Sequence, residues 1–379
     1  MNEIDIYSGD EVISRIYVAD GIDRVEGILQ QYDKVFAVMD RSVAMKCPAA
    51  MRLAEIMNRK HVPGMLIKAS EEEKTMETVM DICSWLMDNG ADRDALVLAV
   101  GGGITSDMVG FAASIYKRGV RFAYVPTTLL AQIDAAIGGK TGVNFESYKN
   151  MLGVIRQPEF TYICPQVLES LPLRDFLSGA AEMLKTFMIE DGGHYDAVVK
   201  LLFRMQVETV SKADNYAAKS WSQSVACHAA ELTDLITAAA SVKAGVVSRD
   251  QFEKGERRKL NLGHTFAHAI ETLAQKSPRS MLGEGNVTHG EAVAMGLVMA
   301  ARLSDRLYGN EMSLEAKVEA DLMNCGIPCD SPFTLEAMAD VMAKDKKAEG
   351  GKVHFVVPRA IGDVQIVDMT IGQLCDLMA

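Results

Sequence analysis

Apolar residues in the first part of the chain gather in short runs, each bounded by charged, glycine or proline positions. The runs are Ser14–Asp20 (SRIYVAD), Lys34–Asp40 (KVFAVMD), Gly64–Ser70 (GMLIKAS), Ala95–Gly103 (ALVLAVGGG), Arg121–Thr128 (RFAYVPTT) and Phe160–Pro165 (FTYICP). Stretches of this length, bounded by turn residues, predict largely buried strands. Between them, Cys47–His61 and Glu73–Gly90 repeat apolar residues three and four apart, the period of an amphipathic helix. The alternation predicts a parallel sheet covered by helices, an α/β Rossmann-like nucleotide-binding domain over residues 1–167.

The pattern changes after Pro165. Leu171–Phe187, Ala226–Val247 and Glu291–Gly309 are long, alanine-rich and helical in period, and predict a mainly α-helical domain over residues 168–379. Lys352–Met369 reads as a small hairpin turning at Ala360–Asp363, and Gln275–Asn286 (QKSPRSMLGEGN) as an exposed loop.

With 379 residues the chain can bury two cores, and its charged fraction of 24% is that of an ordinary globule. A net charge of -12 argues against nucleic acid or an anionic membrane as partner. An anionic small substrate therefore needs a local basic pocket that opposes the global field. Cys47, Cys83, Cys164, Cys227, Cys325, Cys329 and Cys375 are scattered, which suits reduced thiols in a cytoplasmic protein. The N-terminal residues lack the apolar core of a signal peptide, and no run reaches membrane-span length. The 23 methionines are expected to fill the core.

Chemistry enters at Gly101-Gly102-Gly103, where a buried-type strand meets a helix. Glycines there let a pyrophosphate approach the backbone, and the helix start offers free N–H groups. The triplet alone fits a plain tight turn equally well. Asp107, Thr127 and Thr128 add polar groups at strand carboxyl ends, where open α/β sheets bind ligands. Asp40 ends another strand and suits a ribose hydroxyl; it suits a helix cap almost as well. Ala131–Gly153 then sets Asp134, Lys140, Asn144, Lys149 and Asn150 among glycines, a polar loop suited to anions, with a plain solvated loop as the competing reading.

Three of the seven histidines fall close together: His264 and His268 in NLGHTFAHAIE, and His289 in THGEAVAMG. Upstream, SGAAEMLKTF projects Glu182 and Lys185. Glu182, His264 and His289 compose a two-histidine, one-carboxylate metal site with open positions, suited to Lewis-acid chemistry. His268 fits a supporting or proton-relay role. Lys185, Lys243, Arg257, Asn261, Lys346 and Lys347 add polar groups. For Arg257, in GERRK, and for Lys346-Lys347 a solvated charged surface is the competing reading.

These segments, in this order, resemble the 3-dehydroquinate synthase family. The resemblance rests on Gly101–Gly119, Val125–Asn144, Lys149–Gly153, Ser178–Lys185, Leu260–Glu271 and His289–Gly296, and runs from about Asp40 to Asp363. It implies closure of the sugar-acid phosphate DAHP into 3-dehydroquinate with release of phosphate. NAD would be used catalytically with a divalent zinc or cobalt ion. Position by position, it implies Glu182, His264 and His289 as metal ligands. Asp40, Glu71, Lys74, Gly102, Gly103, Asp107, Thr127 and Thr128 would contact NAD, with Asp134 and Lys149 close by. Lys140, Asn150, Lys185, Lys243, Arg257, Asn261, His268 and one of Lys346 or Lys347 would meet substrate. Arg118 matches an arginine lent across a homodimer interface.

The chain departs from the family pattern at Ser106, where a hydroxyl would cap the helix or crowd the pyrophosphate. It departs again at Phe145–Tyr148 and in the loop after His268. Two rivals share the fold: cyclases acting on sedoheptulose 7-phosphate or glucose 6-phosphate, and metal-dependent alcohol dehydrogenases. Arg257 and Asn261, placed by the resemblance near a substrate carboxylate, favour DAHP over the first. The cluster Lys140, Lys185, Lys243 and Arg257 disfavours the second.

Overall fold

A computed structural model describes residues 1–146, 148–210, 220–277, 287–345 and 351–379. The six apolar runs all form strands. In chain order the strands are β1 (Asn2–Ser8), β2 (Glu11–Val18), β3 (Val35–Asp40), β4 (Gly64–Ile67), β5 (Leu96–Gly101), β6 (Arg121–Pro126), β7 (Lys140–Phe145), β8 (Tyr148–Ile155), β9 (Phe160–Ile163), β10 (Val353–Ala360) and β11 (Asp363–Met369). Seven make one sheet in the order β1-β2-β9-β6-β5-β3-β4. Every pairing from β2 to β4 is parallel, and only β1 pairs antiparallel, with β2.

The order positions the site. From β3 the chain moves outward to β4, then returns to lay β5 on the other side of β3. The strand order reverses between β3 and β5, so a crevice opens beyond their carboxyl ends. Asp40 closes β3 and Gly101 closes β5, with Gly101 level with Pro126 of β6. The central strands are apolar because helices cover them: every residue of β5 is buried. The helices Met76–Asp88 and Gly103–Ile115 pack on Phe36, Val38, Val97, Ala99, Phe122 and Tyr124. Phe122 is 1% exposed, and truncating such a ring costs about 3–5 kcal/mol.

Two elements depart from the sequence reading. β1 was not anticipated: in NEIDIYS acids alternate with apolar residues along a sheet edge, and Ile6 is its one buried residue. The segment read as a polar loop is a π-helical turn, Ala131–Ala135, followed by the β7–β8 hairpin. Gly142 faces Gly153 across that hairpin, and a Cβ on Gly153 would lie 2.1 Å from the Thr141 carbonyl oxygen. These glycines let two backbones approach each other, a use that their spacing does not distinguish from ligand access.

The chain divides into two compact units. One comprises Met1–Phe176 and Ser220–Phe252, the other Leu177–Lys219 and Glu253–Ala379. The single boundary expected at 167/168 is therefore replaced by three crossings. The helix Ala229–Arg249, which carries Lys243, clusters with the α/β unit and not with the helical one. The second unit holds the helices Gly192–Val210, His264–Lys276, His289–Tyr308, Leu314–Asn324, Leu335–Asp345 and Ile371–Met378, with the expected hairpin β10–β11. All seven cysteines are free thiols. Methionine is less uniformly internal than expected: Met57 and Met108 are buried, whereas Met45, Met80, Met87 and Met312 are exposed. No helix among the described residues is long and apolar enough to cross a membrane.

Candidate active site

Close backbone approaches assemble the candidate metal-ligating side chains in the second unit. The helix Leu173–Ile189 carries Glu182, which is fully buried. His289 opens the helix His289–Tyr308, fixed there by a capping box. Thr288 Oγ1 accepts from the Glu291 N–H at 3.3 Å, and Glu291 Oε2 accepts from the Thr288 N–H at 2.8 Å. Gly290 follows because nothing larger fits: an added Cβ would lie 2.2 Å from the Ser178 carbonyl oxygen. Its N–H donates to Ser178 Oγ at 3.0 Å. His264 opens its own helix after Gly263, whose φ of +75° suits glycine. There Gly296 touches the Gly263 backbone so closely that a Cβ would sit 2.2 Å from its oxygen.

The result is a convergent donor set. The ligating atoms of Glu182, His264 and His289 lie within 4.8 Å of one another. His289 Nε2 stands 3.0 Å and His264 Nε2 3.6 Å from Glu182 Oε1. The Nδ1–H of His264 donates to the Leu262 carbonyl at 3.2 Å, which leaves Nε2 bare and directed at the carboxylate. His289 Nδ1 lies 3.5 Å from Glu271. Burial opposes the charge on Glu182, yet Lys185 and the two imidazoles hold it well below the usual carboxylate range. Burial and then Lys185 push His264 far down, so it is neutral. Burial acts the same way on His289, but Glu182 and Glu271 outweigh it and raise it to about 10. Two imidazole nitrogens and one anionic carboxylate fit a divalent ion, which would displace the His289 proton on binding.

In the α/β unit the glycine turn is tightly built. A Cβ on Gly101 would meet Thr105 at 2.3 Å, on Gly102 it would meet Thr128 at 3.0 Å, and on Gly103 it would meet Ala135 at 2.9 Å. The helix Gly103–Ile115 has no side-chain cap, so its first N–H groups are available to an anion. Ser106 does not cap this helix: its hydroxyl donates back to the Gly102 carbonyl at 3.3 Å. Thr127 is buried with Oγ1 unpartnered, and Thr128 Oγ1 accepts from the Ala131 N–H at 3.1 Å. Asp40 does cap a helix, accepting from the Ser42 N–H at 2.8 Å.

The hairpin is tied to this region by polar contacts. Lys74 Nζ lies 2.6 Å from Asp107 and also donates to Asn150. Burial drives the Asp107 carboxyl upward, and Lys74 opposes that rise. Asn144 donates to Glu71 Oε1 at 2.9 Å and accepts from the Asn150 N–H at 2.9 Å, which holds Asn150 at φ +55°. Lys243 Nζ donates to both the carbonyl and the carboxylate of Asp134. Lys140 and Lys149 are exposed on the hairpin.

Charge burial separates these residues from the rest of the chain. Among the described residues the buried cations are Lys74, Lys185, Lys243 and Arg257, and the buried acid is Glu182. All five were singled out from sequence. Arg257, at 2% exposure, is not part of a solvated basic patch. Asn261 donates to Glu253 Oε1 at 3.0 Å, and the His268 ring stands edge-on to His264 at 5.6 Å. Arg118 is not brought to the chain's own glycine turn. It lies before β6, at the amino end of the sheet, in a turn where Lys117, Arg118 and Gly119 all have positive φ. Lys346, Lys347 and most of the Gln275–Asn286 loop lie outside the described residues.

Sequence reasoning gave no role to Glu271 or to the Leu262 carbonyl. Glu271 left a signal, seven residues after His264 and three after His268, on the same helix face. A backbone acceptor leaves none.

Residues 64–178 match the family described as 3-dehydroquinate synthase N-terminal, and residues 179–348 match 3-dehydroquinate synthase C-terminal. A 3-dehydroquinate synthase of Acidithiobacillus ferrooxidans is 38% identical over 80% of this chain and 76% of its own length. One from Bacillus cereus is 33% identical over 97% of this chain and 92% of its own. Among solved structures, the 2-epi-5-epi-valiolone synthase ValA of Streptomyces hygroscopicus, with NAD+ and Zn2+ bound, superposes with a TM-score of 0.78. It is 27% identical and covers 97% of this chain and 96% of its own. A 2-deoxy-scyllo-inosose synthase with NAD+ and Co2+, 22% identical over 100% of this chain and 99% of its own, shares the fold with a TM-score of 0.75. Matched in both halves and a third identical to a relative along almost its entire length, the chain belongs to the 3-dehydroquinate synthase family.

Proposed function

We propose that this protein is itself a 3-dehydroquinate synthase, converting DAHP to 3-dehydroquinate and phosphate with NAD and a divalent metal ion. The observation that carries the reading is the buried charge: four cations against one acid, in a chain whose net charge is -12. Burying charge is costly even where it is paired, as Lys74 is with Asp107, Lys185 with Glu182 and Lys243 with Asp134, so a set this rich in cations suits a site that holds an anionic substrate. DAHP carries a phosphate and a carboxylate.

Glu182, His264 and His289 would hold zinc or cobalt, and the Gly101–Gly103 turn with Asp40, Asp107, Thr127 and Thr128 would hold NAD. When bound, the metal supplies a Lewis acid and NAD a reversible hydride acceptor. The chain's own residues supply positions and charge. Lys185, 2.6 Å from Glu182 and 2% exposed, presents an ammonium beside the donor set. Arg257 and Asn261 would orient the carboxylate, and Lys140, Asn150 and Lys243 the phosphate end. His268 would move a proton. The departing phosphate dianion is itself basic, so no strong protein base is required.

The protein is further proposed to be a cytoplasmic homodimer. Phe145, Tyr148 and Met151 expose apolar surface on the β7–β8 hairpin, and Arg118 precedes β6 at the amino end of the sheet, whereas the glycine turn follows the carboxyl end of β5. Turnover of DAHP, sedoheptulose 7-phosphate and glucose 6-phosphate under identical conditions tests the substrate assignment. DAHP is expected to be favoured by about 10⁴-fold, because the other two leave Arg257 and Asn261 without a carboxylate. Equal or better turnover of either alternative would reassign the substrate.

A further inference from the structure

The ring of His289 is gripped from both sides. Nε2 faces Glu182 Oε1 at 3.0 Å, and Nδ1 faces Glu271 Oε1 at 3.5 Å. Glu271 is 13% exposed at its side chain and lies on the helix His264–Lys276, two turns after His264. One helix face therefore supplies both a ligand and a carboxylate behind a second ligand. His264 is backed differently: its Nδ1 is met by the Leu262 carbonyl at 3.2 Å. The two imidazoles thus differ in what backs them, one a neutral oxygen and the other an anionic one.

We infer that Glu271 is a positioning residue of the metal centre, accepting the Nδ1–H of His289 so that Nε2 is the bare nitrogen offered to the metal. An imidazole can carry its proton on either nitrogen, and the partner of one nitrogen decides what the other can do. Without an acceptor at Nδ1, the tautomer with hydrogen on Nε2 becomes competitive, and that tautomer cannot ligate through Nε2. The ring also loses a restraint on its rotation. An anionic acceptor further raises the basicity of the ligating nitrogen. The 3.5 Å separation is longer than a tight hydrogen bond. What makes the pairing specific is that each partner is held from behind. The Thr288–Glu291 capping box fixes the start of the His289 helix, and Glu271 sits in the interior of its own helix.

The inference rests on the metal-site reading, so its test carries a control for that reading. Zn2+ affinity is measured by competition with a chromophoric chelator for wild type, Glu271→Gln, Glu271→Ala and Glu182→Ala. The visible spectrum of the Co2+-loaded proteins and the melting temperature of the metal-free proteins are recorded alongside. Wild type is expected to bind one ion and Glu182→Ala to lose it. Glu271→Ala is expected to bind Zn2+ about 10–100-fold more weakly, with an altered Co2+ spectrum. Glu271→Gln, which keeps an oxygen acceptor, is expected to recover part of both. Wild-type affinity and an unchanged spectrum in Glu271→Ala would overturn the inference alone. So would a lower melting temperature with unchanged metal binding. Failure of wild type to bind an ion would overturn the metal site and the inference together.

Discussion

Replacing Gly290 by alanine probes how the ligands are brought together. An added Cβ would stand 2.2 Å from the Ser178 oxygen, 2.3 Å from its Cα and 2.6 Å from its carbonyl carbon. All three are backbone atoms, so no side-chain rotation relieves the clash. Ordinary contact begins at 3.4 Å, so the two helices must part by roughly 1 Å. His289 precedes Gly290 and moves with it, whereas Glu182 sits one turn beyond Ser178. Metal–ligand distances tolerate only about 0.2 Å. Gly290→Ala is therefore expected to weaken Zn2+ binding by about 100-fold or more and to destabilise the fold by about 1–3 kcal/mol. Chelator competition reads the first effect and thermal unfolding the second. Gly27→Ala is the control, since nothing lies within 4 Å of a Cβ there; it should leave metal affinity unchanged and, as a helical glycine replaced by alanine, hold or slightly raise stability. Wild-type metal affinity in Gly290→Ala would refute the claim that this contact sets the ligand geometry.

Other consequences are equally direct. Lys185→Ala should leave NAD binding within about twofold of wild type while lowering turnover by about 10²–10³-fold; parallel loss of both, by fluorescence titration and kinetics, would mean that Lys185 is misplaced. Because Glu182 and Glu271 raise His289 to about 10, the metal-free site holds a proton that binding must expel. Zn2+ affinity should then rise by up to about tenfold per pH unit between pH 6.5 and 8, and a flat profile would contradict that protonation state. Asp305 accepts from Asn310, Ser313 and the N–H groups of Leu314 and Glu315, tying the helix Leu314–Asn324 to the helix before it. Burial opposes its ionisation, but these donors prevail and its carboxyl titrates below the ordinary value. The stabilisation is complete above the unfolded value of about 4 and is lost as pH falls through the lower folded one. Asp305→Ala should cost about 1–3 kcal/mol at pH 7, and less at pH 3, by denaturant unfolding; an equal cost at both would deny the carboxylate its role.

The legibility of this chain followed the physics of each segment. β3, β5, β6 and β9 were readable because burial on both faces demands near-continuous apolar runs. β1, at an exposed edge, carries acids on its open face and gives no such run. The β7–β8 hairpin hid because its pairing depends on Gly142 and Gly153, residues that in sequence mark loops. Periodicity anticipated the helix Ala229–Arg249, though not the break at His228 before it, and could not show which core the helix joins; Lys243 went with the α/β unit. The convergence of Glu182, His264 and His289 was legible because histidine is scarce and clustered. What orients them was less so: the Leu262 carbonyl is backbone and leaves no mark, and the spacing of Glu271 puts it on the face of His264 and His268 without showing that it backs His289.

The central claim is tested most directly by phosphate release from DAHP, with and without NAD and with and without a chelator, while absorbance at 340 nm is followed. The account predicts release that requires both NAD and metal, with no net NADH. Steady accumulation of NADH, or phosphate release indifferent to NAD and chelator, would contradict it.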